Sequence, residues 1–99
     1  MRKIKKYVDM IDEELESAEE YSESYIEYKA NGETQLSSRF YDMANDELNH
    51  AITIHDLAVK EIEKINTVFN APPEMHEKWE KCHTDYIARM SRIKSMLGM

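Results

Sequence analysis

Glu47 and His50 stand three residues apart in the stretch Glu47-Leu48-Asn49-His50. On a helix that spacing sets both side chains on one face, about 5–6 Å apart at Cβ, so a carboxylate and an imidazole can reach one cation. Both fall inside a line of apolar residues at alternating steps of four and three: Leu36, Phe40, Met43, Glu47, His50, Ile54, Leu57. Glu14 has the same character upstream. Its helical neighbours include Tyr7, Met10, Ile11, Ala18 and Tyr21, and no Lys or Arg lies between Lys6 and Lys29 to neutralise it. A carboxylate in a packing face is costly without a counter-charge. A metal ion is one such charge.

Three helices must position these groups. Asn31-Gly32 is a helix-ending signal, because Gly takes the left-handed conformation that closes a helix. Asn70-Ala71-Pro72-Pro73 is a second break, since Pro cannot continue a helix and restricts the residue before it. Helices over roughly 3–30, 33–68 and 74–97 follow, as a single all-α domain spanning residues 1–99. Short connections make consecutive helices antiparallel. Glu14 lies about 17 residues before the first turn and Glu47 about 16 after it; at about 1.5 Å per residue the two heights coincide.

Helix 1 carries an apolar line at Ile4, Val8, Ile11, Leu15, Ala18, Ser22 and Tyr25. A solvated acidic line runs through Asp9, Glu13, Glu16, Glu20, Glu23 and Glu27. Helix 2 has a second seam at Tyr41, Ala44, Leu48, Ala51, His55, Ala58, Ile62 and Ile65. Being apolar on two sides, it is expected to be the central helix, with Glu47 and His50 in the interior and His55 in the core or at its rim. Helix 3 has one seam: Met75, Trp79, Cys82, Tyr86, Met90, Ile93 and Leu97. It also holds a second E-x-x-H match, Glu80 to His83. Glu80 lies off the seam, which makes that match a surface feature, and His76 and His83 are expected to be structural or solvent-facing.

Glu14 with Tyr21, then Asn31-Gly32, Gln35-Leu36, Phe40 and Glu47-Leu48-Asn49-His50-Ala51, resembles the first helix pair of rubrerythrin-type ferritin-like domains. Glu13-Glu14-Leu15-Glu16 ahead of Glu47-x-x-His50 is similar to the short encapsulated ferritins, which build a di-iron centre across a dimer. The resemblance covers roughly residues 8–60. It implies Glu14 as a terminal carboxylate ligand, Glu47 as a bridging carboxylate, His50 as the nitrogen ligand and Tyr21 as a hydrogen-bonding partner behind them. Glu13 and Glu16 would serve ion entry. Iron is the implied metal, although zinc and manganese accept the same ligands. The fold implied is a ferritin-like antiparallel hairpin plus a third helix, with the four-helix core completed by dimerisation.

This chain departs from a complete ferritin-like bundle, which draws on four helices. Two-fold symmetry would repair that: two copies of Glu14, Glu47 and His50 supply four carboxylates and two imidazoles, and two divalent irons balance the four charges. A homodimer or higher homo-oligomer is therefore expected, with a surrounding protein shell as a further partner. Rubrerythrin's rubredoxin module needs paired cysteines, and Cys82 is alone. Its expected place is the core.

Composition narrows the alternatives. The net charge of −7 disfavours nucleic acid, which is held through basic residues that displace counterions. No apolar run reaches the roughly 20 residues that span a bilayer, and no apolar stretch follows the basic Arg2–Lys6, so a cytoplasmic protein without membrane insertion is expected. Two functions remain. One is a di-iron protein oxidising Fe(II) for iron storage or detoxification. The other is a metal-free helical structural or adaptor protein, of phage or mobile-element character, keeping a vestigial site.

Overall fold

Local backbone chemistry marks the breaks between the helices. The computed structural model describes residues 2–68 and 72–99, and places α1 at Arg2–Ala30, α2 at Thr34–Val68 and α3 at Pro73–Met96. Gly32 takes φ +76°. Its N–H donates to the Lys29 carbonyl at 3.1 Å, and the Glu33 N–H donates to the Tyr28 carbonyl at 2.9 Å. These crossed bonds satisfy the last carbonyls of α1, and only a residue without Cβ adopts that φ cheaply. Pro72 is extended and Pro73 opens α3, where a missing N–H sacrifices no helical bond. Asn70 and Ala71, part of the expected break, lie outside the described residues. All three helices fall within one residue of the spans read from spacing, and no strand occurs among the described residues.

α1 and α2 form a long antiparallel hairpin. The molecule measures 55 × 19 × 17 Å, and 35 helical residues at about 1.5 Å each make about 52 Å, so α2 runs its whole length. Ile4, Ile11, Leu15, Ala18 and Ser22 of α1 are buried against Ala44, Leu48, Ala51, Ala58 and Ile62 of α2. The three α2 alanines recur every seven residues and are fully covered. Side chains that small let the two backbones approach closely. Near the turn the hairpin is closed by aromatic pairs: Tyr28 on Phe40 (5.4 Å between centroids), Tyr25 on Tyr41 (5.4 Å) and Tyr21 on Phe40 (6.2 Å).

α3 runs parallel to α1 and docks mainly on it. Met75, Trp79, Met90, Ile93 and Leu97 are its buried residues, while Cys82 and Tyr86 are half-buried. A polar clamp fixes the contact. Arg89 donates through Nε to Glu19 (2.6 Å) and through Nη1 to Asp12 (2.6 Å) and Asp85 (3.2 Å), and Arg92 donates to the other Glu19 oxygen at 3.1 Å. Burial opposes the Arg89 charge, but these carboxylates outweigh it and raise its pKa.

This docking corrects one expectation. α1, not α2, is the helix that packs extensively on both others, and α3 meets α2 mainly around His55. Asp12 and Glu19 flank one side of the α1 seam and Glu14 the other, at about 100° per residue. α3 settles on the side where its arginines find carboxylates. The first α2 seam is therefore left open: Leu36, Met43 and Leu57 are 41%, 39% and 46% exposed.

Candidate metal centre

The hairpin turn sets Glu14 and Glu47 at the same height, and α2 adds His50 one turn along. One ligand atom from each of the three lies within 4.8 Å of the others. His50 Nδ1 stands 3.4 Å from Glu14 Oε2 and 3.6 Å from Glu47 Oε1. Glu14 Oε2 is itself fully buried and accepts no hydrogen bond. A buried carboxylate oxygen without a hydrogen-bond donor keeps much of its desolvation cost. The neighbouring Glu14 carboxylate, with burial, pushes the Glu47 carboxyl up from 4.5 to about 7. Two carboxylates that close do not both ionise readily without a cation between them.

The surroundings differ from the expected closed interior. Glu14 and Glu47 keep 26% and 22% of their side-chain surface exposed, and His50 keeps 60%. The group sits on the flank of the hairpin away from α3, within the open line Leu36, Met43, Leu57. It is a half-open site on an uncovered face. The donor set of two carboxylates and an imidazole suits iron, zinc or manganese. An oxygen atom lacking any donor is the feature a cation would satisfy.

The remaining sequence candidates separate. Tyr21 lies two turns from Glu14 along α1 and packs its ring on Phe40. Glu13 and Glu16 are exposed with the rest of the acidic line and do not join the cluster. Glu80 is exposed, so the second E-x-x-H match brings no carboxylate to His83.

His83 has a different partner. Its Nδ1 is 2.8 Å from Nε2 of His55, joining α3 to α2. Trp79 and Tyr86 enclose the pair: ring centroids are 5.2 Å from Trp79 to His55 and 4.2 Å from Tyr86 to His55. Spacing within one helix could not reveal this pair, because its members belong to different helices. The available signal was that His55 shares a seam with alanines and isoleucines, and His83 sits beside Cys82 on the α3 seam. Asp12, Glu19 and Arg89 were missed for the same reason.

Searches against family models, curated proteins and solved structures found no match to this chain. Among the described residues, no helix is long and apolar enough to cross a membrane.

Proposed function

We propose that this chain is a ferritin-like di-iron protein that oxidises Fe(II), its centre assembled from two copies of the Glu14, Glu47 and His50 cluster. The observation that carries this reading is the convergence of three ligand atoms within 4.8 Å around a carboxylate oxygen that has no donor. The open apolar line beside it supports the dimer, since a second hairpin laid on that face would cover Leu36, Met43 and Leu57 and bring in a second ligand set.

The residues divide the work. Glu14 and Glu47 would hold the metal by charge and His50 through a neutral nitrogen. Iron bound there would supply one-electron redox chemistry and an open position for an oxidant. Fe(II) arriving for oxidation is substrate, and four carboxylates from two copies favour the more highly charged oxidised ion. Glu47 must lose its proton to ligate, so binding releases a proton and strengthens with rising pH. Metal analysis of the purified protein, ultracentrifugation and oxygen uptake on adding Fe(II) test the proposal together. The expected result is two irons per dimer and iron-dependent oxygen consumption. A monomer that binds no metal overturns it, and bound metal without oxygen uptake reduces it to a binding protein.

A second reading has its own observation. His50 lies within 3.6 Å of both carboxylates, and as an imidazolium it could balance them without metal. The chain would then be a metal-free helical structural or adaptor protein. Replacing Glu47 and His50 by Leu separates the readings: higher stability with nothing lost supports the second, because a buried polar cluster is often no more stable than its apolar replacement.

A further inference from the structure

Away from the Glu14 cluster and the Arg89 clamp, titratable groups also converge at the His55–His83 pair. Its geometry identifies the interaction. A ring nitrogen lies about 1.15 Å from the imidazole centre, so two rings joined end to end through a linear N–H···N bond have centres about 5.1 Å apart when the nitrogens are 2.8 Å apart. The observed separation is 5.0 Å, with 29° between the ring planes. The rings therefore meet edge to edge, lone pair against N–H. A shared metal is the poorer account: two nitrogens on one tetrahedral zinc at about 2.0–2.1 Å stand about 3.3 Å apart.

We propose that His55 and His83 form a one-proton latch that holds the first half of α3 to α2 and opens in acid when the second proton arrives. A neutral pair is joined by one N–H, and a singly protonated pair keeps a charge-assisted bond. The doubly protonated pair has two N–H groups facing each other and two like charges, so the bond is lost. Around the pair, Asp56 on α2 attracts a proton to His55 while burial and His83 resist it, lowering the His55 pKa. On α3, Tyr86 lies face to face with His55, its hydroxyl pushed upward by burial. From α1, Asp12 acts on Cys82 next to His83. The second half of α3 is held separately by Arg89 on α1, so opening would be confined to the segment around Trp79.

Trp79 reports the event directly, being the single tryptophan with His55 at 5.2 Å and His83 at 6.0 Å. Hydrogen exchange of the full-length, chelator-treated protein, corrected for the intrinsic rate, should show about a tenfold loss of protection in the first half of α3 between pH 7 and pH 5. Trp79 emission should change over the same range. The His83→Gln variant keeps a hydrogen-bonding side chain without a second charge, and the acid loss of protection should vanish. Imidazole NMR on the unaltered chain gives an independent test: the pair should titrate in two steps separated by more than about one pH unit. Independent single titrations of the two rings, or an unchanged protection profile in His83→Gln, would overturn the latch.

Discussion

Replacing Glu47 by Gln in the metal-free protein should stabilise it at pH 8 and do nothing for it at pH 4.5. The amide has the shape of the protonated carboxyl and can donate to Glu14, so the variant is locked in the state that Glu47 reaches only with a proton. The hydrogen bond with Glu14, together with burial, pushes the Glu47 carboxyl up from 4.5 to about 7. At about 1.36 kcal/mol per pH unit, that rise corresponds to about 3.4 kcal/mol as an upper bound. Water reaches the pair, with 22% of the Glu47 side chain exposed, and screening brings the expected gain to about 1.5 kcal/mol. The sign follows from proton counting. The folded state holds a proton on Glu47 that the unfolded state has released, so the wild-type contribution is complete below pH 4.5 and is lost as pH rises through 7. Melting curves by circular dichroism, with chelator and at one protein concentration, should place the variant about 6–12 °C above wild type at pH 8, with the gap closing toward pH 4.5. A variant no more stable than wild type at pH 8, or one with the same gain at both pH values, would refute the crowding of Glu14 and Glu47.

Fe(II), added anaerobically at a hundred times its dissociation constant, should raise stability by about 2.7 kcal/mol in wild type and not in Glu14→Gln, as read by the same melts with and without metal. Leu36→Lys with Leu57→Glu, on the open face of α2, should turn the proposed dimer into a monomer while helicity is kept, because the two residues are 41% and 46% exposed in one copy. Ala51→Leu should cost about 1–3 kcal/mol in denaturant melts, since Ala51 is fully covered in the core of the hairpin. Arg89→Met should cost about 1–2 kcal/mol, more at low salt than at high, by leaving the half-buried Glu19 with Arg92 alone.

The helices and much of the Glu14, Glu47 and His50 cluster were legible in the chain itself. Gly32 and the Pro72-Pro73 pair mark helix ends through backbone chemistry that needs no tertiary context, and the step of three and four at Ile4, Ile11, Leu15, Ala18 and Ser22 names a buried face before any partner is known. The heights of Glu14 and Glu47 follow from counting residues on either side of one turn. What counting could not decide was which flank of the hairpin α3 would take. Both faces of α2 carry an apolar seam. The choice rested on Arg89 and Arg92 meeting Asp12 and Glu19, residues 70 to 77 positions away in sequence. That placement left Glu47 and His50 on an open face instead of in the interior. It also gave His83 the neighbour His55, and only the crossing of two helices could have set those rings end to end.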